Sequence, residues 1–383
     1  MGKDPLSGKY KSHYETVNGN KKEAEKRLNE LIHQLDIGMF VKPGKDTVAD
    51  YLNRWLKDYA YTNLSPKTAE GYDSIITRHL NPAFGMVVLT HLKPEMIQKY
   101  IGDKLSNGRV REKGSLTART VRHHIVCLHT ALQQAVKMGT LYRNPVDGVT
   151  IPRAERHEMR TMTESDIHMV LDMARSTPYY TFFYMAIFTG MRRSELLGLK
   201  WQDVDLTLHL ASVRRSLHTA KGGQVILRQP KTEKSRRMVR LSSSTVAVLK
   251  EYLEAQNEFR HSLGCPRLTD GDYVFCHYDG RPLLPNAVSH NWTKFVRKCG
   301  LPGIRLHDAR HTHASLMLKQ GVHPKIVQER LGHSSIQITL DTYSHVAPGL
   351  QEAAAEKFDE IMLNGVTNRL PVAGIPIKSS RRP

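Results

Sequence analysis

The chain has 383 residues, 56 Lys and Arg against 37 Asp and Glu, a formal net charge of +19 and 40% hydrophobic residues. At about 150 residues per domain this is two or three domains, with enough apolar content for real cores, so wholesale disorder is excluded. The basic excess is +3 over 1–45, +5 over 46–155 and +11 over 156–383, which excludes a lone basic tail and points to a polyanionic partner, nucleic acid first.

In chain order, Tyr10 to Val17 reads as a strand. Asn20 caps a helix from Lys21 to about Asp36, with Leu28, Leu31, Ile32 and Leu35 at helical spacing. From 46 to 150 the pattern is all-helical. Val48, Tyr51, Leu52, Trp55, Leu56 and Tyr59 form one amphipathic stripe. Ser65-Pro66 opens a second helix, expected to stop at Asn81-Pro82. Pro94 opens a third, and Val121, Ile125, Leu128, Leu132 and Val136 stripe a fourth. Asn144-Pro145 and Ile151-Pro152-Arg153 read as a linker.

Beyond it Thr163 caps a helix with Asp166 at N3, and a buried helix follows near 179–190. Three short strands, near 209–217, 224–229 and 236–241, are expected to form an antiparallel meander. Helices follow at about 243–257, 285–298, 307–319, 324–332, 336–344 and 350–363, then a polar tail expected to be disordered.

Other classes drop out. The most apolar stretch, Tyr179 to Met191, is too short to span a bilayer, and no secretory h-region opens the chain. Cys127, Cys265, Cys276 and Cys299 make no zinc spacing and read as reduced thiols of a cytoplasmic protein. No Walker A or GxGxxG is present.

Three segments carry chemistry. Thr189-Gly190-Met191-Arg192-Arg193-Ser194-Glu195 follows the buried helix, and Arg192 and Glu195 at i, i+3 also suit a purely structural ion pair. His307 and Arg310 share a face at a helix start, where an anionic oxygen is favoured. A metal held by His307, His311, His313 and His333 is a rival reading, opposed by the adjacent Arg310. Leu331-Gly332-His333 ends one helix, and Tyr343 lies near the end of the next. Together two arginines, two histidines, a hairpin lysine and a tyrosine make a phosphoryl-transfer site that needs no metal. The arginines clamp non-bridging oxygens, a histidine helps the tyrosine, and a lysine or histidine protonates the leaving oxygen.

TGMRRSELLGLKWQDVD, HDARHTHAS, LGHSS and TLDTYSH, in that order, strongly resemble the tyrosine recombinase (phage integrase) family, nearest to integrases of Gram-positive phages and conjugative transposons. The resemblance implies catalytic Arg192, His307, Arg310, His333 and nucleophilic Tyr343, with Glu195 and His311 in support. The general acid falls to Lys231, with Lys234 as the alternative. It implies a truncated α+β arm-binding module over 1–45, in which the first strand is missing, and an all-α core-binding domain over 46–153. A mainly α catalytic domain with a small antiparallel three-stranded sheet follows over 154–365, then a tail over 366–383.

It further implies site-specific recombination of double-stranded DNA through a 3′-phosphotyrosyl link and a Holliday junction, without metal or ATP. Four protomers would act together, with an excisionase or host DNA-bending protein in attendance. Lys67, Arg119 and Arg122 at helix starts would meet phosphates; a solvated helix face is the plain alternative. The helix at 350–363 resembles the segment that docks on a neighbouring protomer, with packing on its own domain as the rival. A type IB topoisomerase-like relaxing enzyme and a non-catalytic DNA-binding regulator remain as alternative functions.

Overall fold

The computed structural model describes residues 16–36, 45–110, 114–154, 160–220, 223–229, 236–343 and 355, 356, 358–360 and 362; the side chains of 34–36 and 341–343 also lie outside it. The expected strand at Tyr10–Val17 falls almost wholly outside the described residues, as do most of the 350–363 helix and the tail. The chain forms two compact units, Met1–His157 and Glu158–Pro383.

The first unit is helical. Helix α1 (Lys21–Asp36) forms where its pattern predicts, but Leu28 and Ile32 of its apolar stripe are exposed rather than buried in a core. Thr47 caps α2 (Val48–Trp55), and Asp50 returns the favour by accepting from the Thr47 N–H. The helix runs on through a π turn at Leu56–Ala60 into α3 (Tyr61–Asn63). The predicted stripe is the buried face: Val48, Tyr51, Leu52, Trp55 and Leu56 enter the core, and Tyr51 Oη donates to Ala131 O at 2.7 Å.

Ser65 caps α4 (Pro66–Ile75) as expected. The expected stop at Asn81-Pro82 does not occur. A π turn at Ile76–Leu80 carries the chain into α5 (Asn81–Phe84), with the Asn81 N–H bonded to Ile76 O. The wider turn makes room for a proline ring that would strike the carbonyl four residues back in an α-helix. Helices α6 (Pro94–Asn107) and α7 (Ala118–Lys137) complete the unit, and Ile97, Ile125, Leu128 and Leu132 are fully buried.

In the second unit Thr163 and Asp166 form a reciprocal cap on α8 (Glu164–Ala174). The central helix α9 (Tyr180–Thr189) is buried on nearly every side, with Phe182 and Phe183 fully enclosed. A helix without a polar face must be surrounded, and α8, α10 (Arg193–Leu197), α11 (Ser243–Ser262) and α13 (Leu306–Lys319) all pack on it. Helices α12 (Pro285–Lys298), α14 (Pro324–Leu331) and α15 (Ile336–Tyr343) follow, α15 packing on α13 and α14.

The strands depart from the expected meander. Residues 204–205, 210–213, 216–219, 225–228 and 237–240 form β1 to β5. The three-stranded antiparallel sheet has the order β1-β2-β5, and β3-β4 is a separate hairpin. The predicted strand over 209–217 is broken at Arg214-Arg215, where Arg215 Nη1 donates to buried Asp203 Oδ2 at 2.5 Å. The bent chain then runs beneath α10. A Cβ at Gly198 would lie 3.1 Å from Arg215 O and 3.2 Å from Leu217 N, so glycine there permits the close approach. Strand β5 therefore pairs with β2, Ala211 opposite Val239, and bypasses the hairpin.

Candidate active site

The site is assembled where the ends of α9, α13 and α14 meet. Helix α9 ends in Gly190, whose φ of 64° is left-handed. A Cβ there would fall 2.7 Å from both His313 Cδ2 and Leu331 Cδ2. The turn aims Gly190 O at α13, where Arg310 Nη1 donates to it at 2.8 Å; Arg310 Nη2 donates to Leu331 O at 2.7 Å. The next carbonyl, Gly332 O, accepts from Arg192 Nη2 at 3.3 Å. Successive main-chain oxygens thus hold the two arginines predicted to act together, from helices more than a hundred residues apart in sequence.

Glu195 fixes Arg192 from below, accepting from its Nη1 at 2.7 Å and its main-chain N–H at 2.9 Å. Burial works to raise the Glu195 carboxyl, but the hydrogen bond and charge of Arg237, then Arg192, outweigh it and hold it at about 2. The neighbouring Arg193 does a different job: it donates to Pro285 O and Ser289 Oγ and anchors α12.

His333 follows the left-handed Gly332. Its Nδ1 lies 2.9 Å from the hydroxyl of fully buried Thr339, which ties the turn to α15. Burial first, then Arg310, Arg192 and His311, push His333 down to about 3. His307 keeps an exposed face, yet the protein packed against its ring, with His311 and Arg310 beside it, lowers it to about 4. The rings of His307 and His311 meet edge to face at 4.9 Å. At neutral pH both predicted catalytic histidines are therefore uncharged within a positive field.

His313 does not belong to a metal set. Its Nε2 accepts from Arg330 Nε at 3.0 Å, and among the described residues no group of three or more His, Cys, Asp or Glu is placed to hold a metal. Tyr343 closes α15, one turn after Thr339, with its side chain outside the described residues. Lys231 and Lys234, in the sequence over 230–235 between β4 and β5, also lie outside them. Lys67, Arg119 and Arg122 are exposed on the first unit, at the starts of α4 and α7 as expected.

Sequence reading missed two residues. Arg237 Nη2 and Nη1 reach Glu195 at 2.8 and 3.2 Å, and its Nε donates to Arg330 O at 2.7 Å. Arg330 donates onward to Arg240 O and Phe188 O. The signal was a glutamate following an apolar helix, which needs more than one cation when buried. Arg237→Ala is expected to destabilise the second unit by about 3 kcal/mol, because Glu195 loses a bidentate partner while buried. Denaturant unfolding checks this; an unchanged midpoint would contradict it.

Histidines that the fold keeps neutral also set the acid limit. His124 in the first unit, held at about 4 by burial and His79, joins His307, His313 and His333 in having a folded pKa below the ordinary 6.5. The unfolded chain then binds more protons, so their contribution is complete above pH 6.5 and is lost as pH falls toward 4 and 3. Below about 4.5, protonation of Glu195 adds to the loss. Unfolding midpoints should drop between pH 7 and 5; equal midpoints would refute this.

Residues 160–349 match the Phage integrase family, and residues 47–105 match the N-terminal SAM-like domain of phage integrases. The ICEBs1 integrase of Bacillus subtilis is 30% identical over 78% of this chain and 78% of its own length. This chain belongs to the phage integrase family, the tyrosine recombinases. A tyrosine recombinase XerC-like protein of Caldanaerobacter subterraneus is 29% identical over 90% of both chains. Among solved structures, the Tn1549 transposon integrase in complex with circular intermediate DNA aligns with a TM-score of 0.66 at 20% identity, over 82% of this chain and 99% of that one. A lambda integrase tetramer bound to a Holliday junction aligns at 0.59 and 19%, over 90% and 92%. These two likenesses establish the tyrosine recombinase fold, mainly helical with a small antiparallel sheet. Among the described residues no helix is long and apolar enough to cross a membrane.

Proposed function

We propose that this tyrosine recombinase cuts and rejoins double-stranded DNA at specific sites to integrate or excise a mobile element in a bacterial cytoplasm. Tyr343 Oη attacks the scissile phosphorus, the bond to the 5′-oxygen breaks, and a 3′-phosphotyrosyl ester forms. Neutral His307 accepts the phenol proton, and Lys231 or Lys234 protonates the departing 5′-oxygen. Arg192 and Arg310 clamp the non-bridging oxygens, with His333 hydrogen-bonded to the same phosphate. The 5′-hydroxyl of a partner strand then attacks the ester and releases Tyr343. Two such exchanges pass through a Holliday junction in a tetramer on two duplexes. The phosphate bond energy is kept in the ester, so neither metal nor ATP enters.

The observation that carries this reading is the convergence of Arg192 and Arg310 on the successive carbonyls of Gly332 and Leu331, directly before His333. Residues 46–153 act as the core-binding domain, with Lys67, Arg119 and Arg122 on phosphates, and 154–365 as the catalytic domain. Residues 1–45 serve as an arm-type DNA-binding module. An excisionase or DNA-bending protein sets direction. The test is a nicked suicide substrate carrying the attachment core, incubated with excess chelator and no ATP. A covalent protein–DNA adduct is expected; a requirement for divalent metal would overturn the mechanism.

A further inference from the structure

A second basic surface lies outside the catalytic set. The β3-β4 hairpin and the β1-β2-β5 sheet open a groove of about 720 Å³ between them. Five arginines line it from three chain segments: Arg214 and Arg215 at the break after β2, Arg228 at the end of β4, and Arg236 and Arg237 at the start of β5. No carboxylate is among its described lining residues. Asp203, 1% exposed at its side chain, is occupied by Arg215 at 2.5 Å, with Arg214 Nε at 3.7 Å.

Its five arginines do not play the same part. Arg215 and Arg237 are committed inward, to Asp203 and Glu195. Arg214 is 64% exposed, Arg236 is exposed with one Nη on Gln229 Oε1, and Arg228 is half-buried on the hairpin wall. Between them two apolar side chains stand in solvent, Met238 at 67% and Leu227 at 41%. Arginines interleaved with exposed apolar groups suit a backbone of alternating phosphate and sugar. The groove is linked to the catalytic cluster through Arg237, a lining residue that binds the Glu195 holding Arg192.

We propose that this groove is a second DNA site on the catalytic unit. Arg214, Arg228 and Arg236 hold backbone phosphates of the duplex beside the cleavage point, and Met238 and Leu227 lie against its sugars. The proposal rests on the recombinase reading above and adds to it a distinct set of contacts. It assigns these three arginines to affinity and register, and leaves the chemistry to the clamp.

The test is the salt dependence of binding by the full chain to a mixed-sequence duplex, read by fluorescence anisotropy. Each phosphate neutralised contributes about 0.9 to the slope of log K against log salt. The combined variant Arg214→Gln, Arg228→Gln, Arg236→Gln should flatten that slope by about 2 to 3. The same positions changed to Lys should restore it, which separates lost contacts from lost folding. A control with equal charge loss, Lys250→Gln, Arg267→Gln, Arg281→Gln, lies off the groove and should leave the slope unchanged. An unaltered slope in the groove variant, or an equal drop in the control, overturns the proposal. If wild-type protein still forms the suicide-substrate adduct in that case, the recombinase reading stands and only the groove assignment falls. Absence of any DNA binding by wild type overturns both.

Discussion

Arg192→Lys is expected to lower single-turnover strand cleavage by about 10²- to 10³-fold, the loss that follows removal of one preorganised donor from a developing oxyanion. The exchange keeps the charge, so bulk attraction to DNA survives. What it loses is the fork. Arg192 uses Nη1 on Glu195 and Nη2 on Gly332 O, and these contacts fix the plane it presents to a phosphate. A lysine ammonium is a point donor on a flexible stem and cannot meet both partners and an anionic oxygen in one plane. Arg193→Lys makes the matched control. That side chain is tied to Ser289 and Pro285, so cleavage should stay within about tenfold of wild type, far from the loss at a clamp position. Near-normal cleavage by Arg192→Lys would contradict the clamp.

The helices were largely legible because burial imposes a period on them. The stripe from Val48 to Leu56 is the buried face of α2 and its π turn, and the uniformly apolar 180–189 stretch is the enclosed α9. Caps at Ser65 and Thr163 were readable because the hydroxyl that accepts a helix N–H sits beside the first turn. Strand partners were not legible. Three short segments give no hint that β5 passes over the hairpin to reach β2, and no local spacing marks Arg215 as the partner of Asp203 at the break between β2 and β3. The Asn81-Pro82 stop failed for a related reason: a π turn is set by packing and leaves no mark in local spacing.

The site divides in the same way. Arg192, His307, Arg310 and His333 are singled out as candidates by their motifs, and the structure brings the ends of α9, α13 and α14 to one place around them. Glu195 was expected beneath Arg192 and lies there. Arg237 and Arg330 were passed over because a basic run invites attention to its lysines. Only the fold reveals that Arg237, seven-hundredths exposed at its side chain, is turned inward to a carboxylate. His313 was grouped with possible metal ligands, and only its contact with Arg330 assigns it to the frame instead.

Tyr343→Phe carries the largest expected effect, because it removes the single oxygen on which the mechanism turns. Phenylalanine keeps the ring and has a helix propensity close to that of tyrosine at this last position of α15. DNA binding should therefore persist while the covalent step disappears. A regulator that binds without cutting would tolerate the exchange, and a hydrolytic enzyme would still cut. The decisive measurement is the covalent adduct on a nicked suicide substrate in chelator, wild type beside Tyr343→Phe. Adduct with wild type and none with the variant, at equal DNA occupancy, is the predicted result; adduct that survives Tyr343→Phe would contradict it.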